Sequence, residues 1–131
     1  MAKYGMSSAV TGSLEEVKGK VVAALKTQGF GILTEIDVQK VLKEKLGVDF
    51  EPYLILGACN PGIAHQALSA DRSIGLLLPC NVVLRQNGGK VEVSIQDPEV
   101  MFSVVEIGAN SDLAKLPGEV KQRLLTVLNN L

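Results

Sequence analysis

The most constraining feature of this sequence is an alternation. After Asn87-Gly88-Gly89, residues 90–97 place Val91, Val93 and Ile95 on one side and Lys90, Glu92, Ser94 and Gln96 on the other. Period-two patterning marks a half-buried strand, because successive side chains point to opposite faces of a sheet. An Asn-Gly pair between two apolar runs is the strongest short-range hairpin signal, since both turn positions need left-handed backbone. The preceding apolar run, residues 75–85, is therefore expected to be the partner strand. A hairpin with one apolar face needs cover, and the rest of the chain supplies it.

Four segments carry helical signals. Ser13 with Glu16 three residues later forms a capping box, and Leu14, Val17, Val21, Ala24 and Leu25 follow at helical spacing, with Gly29 as the stop. Asp37 caps a second helix with Val38, Val41, Leu42 and Leu46 facing inward, ended by Gly47. Asn60-Pro61 reads as a cap followed by proline in the first turn, ahead of Ile63, Ala64, Ala67 and Leu68. Pro117 is expected to open a last helix through Val120, Leu124, Val127, Leu128 and Leu131. A short helix around residues 100–105 is possible inside the ambiguous segment 99–108, after Asp97-Pro98 breaks the strand.

Between these lie two further strands. In residues 30–36, Phe30, Ile32 and Ile36 are expected on one face and Glu35 on the other. Residues 53–59, Tyr53-Leu54-Ile55-Leu56-Gly57-Ala58-Cys59, are apolar on both faces and read as a covered or interfacial strand. Residues 4–10 can be extended. The sum is a single α+β domain over residues 1–131, two layers deep, with a mainly antiparallel sheet of four or five strands and helices packed on it.

Composition removes several function classes. Thirteen basic and fourteen acidic residues give a net charge of −1, so there is no broad positive field for nucleic acid or anionic lipid. With no Trp, two Tyr and three Phe, stacking platforms for bases are hard to build. No apolar run approaches the roughly 20 residues of a membrane span. Two cysteines in a chain of this size point to a reduced, cytoplasmic protein.

Several runs occur together in a recognisable order: Gly29-Phe30-Gly31-Ile32-Leu33-Thr34-Glu35-Ile36-Asp37, Leu46-Gly47-Val48-Asp49-Phe50, Ile55-Leu56-Gly57-Ala58-Cys59-Asn60-Pro61, Gly75-Leu76-Leu77-Leu78-Pro79-Cys80-Asn81-Val82 and Asp97-Pro98. They resemble the bacterial and archaeal domain of unknown function 302 family. The resemblance implies a small antiparallel sheet with helices on one side, of the TATA-box-binding-protein-like grouping, and a homodimer. It brings no catalytic residues, and a fold grouping alone carries no DNA-binding implication.

Candidate site residues come from chemistry alone. Cys59 precedes a helix start, where unpaired amides and the helix dipole favour an anion, either a thiolate or a ligand's carboxylate or phosphate held beside Asn60. The plain alternative is a buried cysteine that closes an apolar strand. Cys80, next to Pro79 on an edge or bulge, repeats the Cys-Asn pattern with Asn81, and the two thiols can converge if their strands are neighbours. Twenty residues separate them, which is neither a CxxC pair nor a zinc-knuckle spacing. The only histidine, His65, points away from its helix's apolar stripe, so a Cys59–His65 catalytic pair is poor geometry. A metal site of Cys59, Cys80 and His65 is chemically conceivable. Glu35, the charged member of an apolar strand, is either a solvated edge residue or one wall of a polar pocket.

No catalytic constellation is visible. The expectation is a homodimeric module that binds a small ligand, an anion among the candidates, or a protein near Cys59-Asn60-Pro61, with no cofactor. The alternatives are a thiol-dependent enzyme or redox protein using Cys59 with Cys80, and a metal or haem carrier. Leu77 and Val83, opposite Leu76, Leu78 and Val82, call for cover from a second copy.

Overall fold

Five strands pair in the order β1-β5-β4-β3-β2, every neighbour antiparallel. In this computed structural model, residues 3–105 and 111–131 are described. Chain order is β1 (Gly5–Thr11), α1 (Leu14–Thr27), β2 (Gly31–Asp37), α2 (Val38–Leu46), β3 (Tyr53–Cys59), α3 (Pro61–Ala70), β4 (Cys80–Asn87), β5 (Lys90–Gln96), α4 (Pro98–Met101) and α5 (Ser111–Asn129). Short 3₁₀ segments, Arg72–Leu77 and Phe102–Val104, follow α3 and α4.

The expected hairpin is the centre of the sheet. β4 and β5 meet with Asn87 opposite Lys90, and Gly88 takes φ 65° at the turn, a conformation only glycine adopts without penalty. Val91, Val93 and Ile95 are fully buried. They face α1 and α5, and with Leu56, Leu84, Val17, Val21, Leu25 and Leu124 they form the main core. Each such side chain contributes on the order of 1.5–3 kcal/mol by leaving water. The capping box of α1 is present: the Ser13 hydroxyl accepts from the Glu16 amide at 3.2 Å and donates to its carboxylate at 3.0 Å.

Several expectations need correction. Strand β4 begins at Cys80, and residues 72–77 form a 3₁₀ segment instead. The apolar run misled because Leu76 is apolar yet 89% exposed, so the pairing of Leu77 with Val83 on one strand face disappears. β4 is also central rather than an edge, and Pro79 precedes it, so the proline costs the ladder nothing. Strand β2 carries a bulge between Ile32 and Thr34. That extra residue reverses the alternation, so Ile32 and Glu35 share the helix-covered face while Ile36 faces away. The last helix starts at Ser111, with Pro117 inside it. A short helix does form at Pro98–Met101; the part of the ambiguous segment beyond Val105 lies outside the described residues.

Helix α2 forms where expected, with Asp37 accepting from the Lys40 amide at 3.0 Å, but none of its residues is buried. Val41 and Leu46, expected inward, are exposed.

Candidate functional site

The end of the sheet where β3 stops and β4 starts is roofed by α3 and the first half of α5. Beneath that roof is a mostly apolar cavity of about 40 Å³, and both cysteines line it. The register explains their meeting. Ala58 sits directly opposite Cys80, so Cys59 is one residue further along the neighbouring strand. Asn60 then leaves the sheet as the cap of α3, its side chain accepting from the Ile63 amide at 3.2 Å. The Ala64 amide bonds the Asn60 carbonyl at 2.9 Å, and Pro61 has no N–H to offer.

A close contact with the end of α1 fixes this cap. Gly29 lies at φ +81°, and a β-carbon there would come within 2.8 Å of the Asn60 amide nitrogen. Ile63, Ala67, Leu78, Phe102 and Leu116 close the space with hydrocarbon, continuous with a second cluster around Ile74 and Leu113. Between Gln96 and Pro98, which line the cavity, Asp97 is buried. Its carboxylate accepts from the Glu99 amide at 2.9 Å and pairs with Lys121 of α5 at 2.9 Å. Lys121 is held protonated, its pKa raised chiefly by the hydrogen bond to Asp97 and then by that to Glu99.

The two thiols are free and half-buried. Burial, and after it the nearby Cys59, push the Cys80 thiol up to about 11, against a hydrogen bond with Gln96 that pulls it down. In this setting Cys80 is a neutral thiol at ordinary pH. Gln96, Phe102 and Leu116 are the contributors that the sequence did not reveal. Gln96 occupies a polar position at the end of an alternating strand, and nothing in that pattern marks it.

Of the expected site residues, Cys59, Asn60 and Cys80 are brought together, and the others are not. Asn81 pairs opposite Gly57 and is exposed on the far face of the sheet, as strand alternation requires. Glu35 is exposed at the edge and ion-paired with Lys18 of α1; the hydrogen bond between them raises the Lys18 pKa. That pairing gives Glu35 a structural partner and places it outside the cavity lining. His65 is exposed and does not line the cavity. Among the described residues, no three His, Cys, Asp or Glu side chains gather as metal ligands, and no helix is long and apolar enough to cross a membrane.

The sequence profile described as Domain of unknown function DUF302 matches residues 6–131. The chain belongs to the DUF302 family. The fold agrees with that membership: the crystal structure of an uncharacterized conserved DUF302 protein from Bacillus stearothermophilus superimposes with a TM-score of 0.87. It is 28% identical in sequence, and the alignment covers 98% of each chain. No curated protein matches this DUF302 chain.

Proposed function

We propose that this DUF302 domain is a homodimeric binding module of the cytoplasm, with a small neutral ligand seated over the Cys59–Cys80 cavity. The observation that carries the proposal is the arm formed by β2, α2 and the loop to β3. Leu33, Ile36, Val41, Leu46, Val48 and Phe50 are all exposed there, Leu33 at 66% and Leu46 at 69%. Among the described residues, those six are most of the large exposed apolar side chains. Phe50 rests on Tyr53 with ring centroids 5.9 Å apart, which extends the apolar surface onto β3.

Area points the same way. A compact monomer of this mass exposes roughly 6,700 Å², whereas this chain exposes 7639 Å². The excess of about 900 Å² is close to the roughly 800 Å² per partner that a standard interface covers. The occupant favoured is a second copy. Lys40, Lys43 and Lys45 stand against Asp37, Glu44 and Asp49, while Glu35 and Glu51 are paired with Lys18 and Arg85 of neighbouring elements, so the arm is compatible with itself, while an anionic surface gains nothing from it.

For the ligand, hydrocarbon lining and an already satisfied helix cap support a neutral molecule over an anion. The cavity has room for about one water or the tip of a ligand. Light scattering at micromolar concentration should give twice the chain mass, and Leu46→Glu should give the single-chain mass with unchanged circular dichroism. A monomeric parent protein overturns the dimer. Xenon, used as an apolar probe in crystals under pressure, should bind against Ala58, Ile63 and Ala67; xenon found only elsewhere overturns the ligand site.

A further inference from the structure

The chain has two cysteines with twenty residues between them, and the fold delivers both to one cavity. Neighbouring strands lie about 4.8 Å apart and rise about 3.3 Å per residue. With Ala58 opposite Cys80, the Cα atoms of Cys59 and Cys80 are therefore about 6 Å apart, inside the roughly 4.4–6.8 Å window of a disulfide. Strict alternation would send the Cys59 side chain to the far face. Cys59 is, however, the last residue of β3, where the chain rises from the sheet into α3, and that is where the shared cavity opens.

We infer that Cys59 and Cys80 form a dithiol–disulfide pair that exchanges with low-molecular-weight disulfides, with Cys59 attacking and Cys80 resolving. The unlike surroundings of the two sulfurs assign the roles. Cys59 stands at the strand end beside the α3 cap, whereas Cys80 lies opposite Ala58 on the helix-covered face of the central strand and is held as a thiol by burial. A sulfur at a strand end meets an external disulfide first, and one held between sheet and helices completes the bridge.

The balance is complete. The Cys59 thiolate sulfur attacks one sulfur of the external disulfide, whose S–S bond breaks, and the first external thiolate leaves and collects the proton Cys59 gave up. Cys80 then gives its proton to the second departing sulfur and attacks the Cys59 sulfur of the mixed disulfide, breaking that bond. Two protein thiols are oxidised, one external disulfide is reduced to two thiols, and no other reactant is needed.

The inference is independent of dimerisation and of any other ligand, because the bridge forms within one chain. The test exposes reduced, folded protein to mixtures of glutathione and glutathione disulfide, quenches with acid, alkylates, and weighs the intact chain. Both alkylatable thiols should disappear together, leaving a chain lighter by two hydrogens and restored by dithiothreitol. Cys80→Ala should stop as a single glutathione adduct on Cys59, and Cys59→Ala should leave Cys80 at least tenfold slower to react than Cys59 in Cys80→Ala. If either variant fails to fold, acid-trapped intermediates of the parent protein, with the adduct mapped to Cys59, test the same assignment. The inference is overturned if two thiols persist at every ratio, if bridging occurs only in urea, if adducts accumulate without bridging, or if the product is a disulfide-linked dimer on a non-reducing gel.

Discussion

Gly57→Ala places a methyl group where the structure has no room. Gly57 is buried in β3, opposite Thr34 and Asn81. A β-carbon there would lie 2.8 Å from Cγ of Pro79 and closer still to Oγ1 of Thr34. The Thr34 hydroxyl can rotate away, whereas the proline ring is locked by the peptide before β4. Overpacking of this kind costs about 1–3 kcal/mol. For a chain of 131 residues, an unfolding entropy of about 2.1 cal/mol/K per residue turns 2 kcal/mol into a fall of about 7 °C in Tm.

Differential scanning calorimetry measures that shift, and Gly31→Ala supplies the control. Nothing lies within 4 Å of a β-carbon on Gly31, so that variant should stay within about 2 °C of the parent or rise slightly through loss of unfolded-state freedom. Adding Thr34→Ala to Gly57→Ala should recover part of the loss, with the remainder belonging to Pro79. If Gly57→Ala melts within 2 °C of the parent (about 0.5 kcal/mol), the close approach of Thr34 and Pro79 over this glycine is wrong.

Raising the Cys80 pKa from 9.0 to about 11 means the unfolded chain ionises first, so stability falls between about pH 9 and pH 11. The loss at the top of that window is about 2 kcal/mol, and Cys80→Ala should flatten the fall relative to the parent in urea titrations at each pH. Lys18 and Lys121 also weaken in alkali, since their raised pKa values stabilise the fold below the unfolded lysine value and cease to do so as pH rises through the folded one; the difference between parent and variant removes that shared part. Glu35→Gln breaks a partly exposed ion pair and should cost less than about 1 kcal/mol, with the rate of Cys59 alkylation unchanged; a tenfold rate change would place Glu35 at the site after all. Asp97→Ala removes the α4 cap and the partner of Lys121 together, so its Tm should fall by more than that of Asp37→Ala, whose carboxylate caps an exposed helix.

Local signals carried most of the fold. The hairpin, the α1 capping box, Asn60-Pro61 and the span of β3 are each written in adjacent residues whose backbone preferences agree with the final structure. The errors share a different origin. Glu35 and Ile36 exchange faces because one extra residue in β2 shifts the register, and Ile32-Leu33-Thr34 reads as ordinary strand, with the nearby Gly31 equally suited to a strand start. Leu76 and Leu77 look like strand because apolar content says nothing of a 3₁₀ path. Pro117 looks like a helix start because proline is most at home in a first turn, although here α5 runs through it. At the site, the meeting of Cys59 with Cys80 followed conditionally from strand adjacency, whereas Gln96, Phe102 and Leu116 reach the cavity through tertiary packing that no short window encodes.

The misread burial of α2 is the most informative of these differences. Its apolar stripe is real in the sequence, and the asparate cap and glycine stop form as expected, with Gly47 at φ 67°. What is missing is a surface for the stripe to meet within one chain. An isolated nine-residue helix is marginal in water because its nucleus costs more than so few hydrogen bonds return, so α2 draws its stability from its neighbours. β2 and β3 supply some of that, yet β2 is itself largely exposed alongside it. A helix and a strand that each leave the same kind of surface uncovered, on an arm whose surplus acids are paired with Lys18 and Arg85, form one half of a core. The physical question at α2 is therefore one of assembly, and the prediction that Leu46→Glu separates the chains while leaving each folded follows from placing that missing half in the second copy.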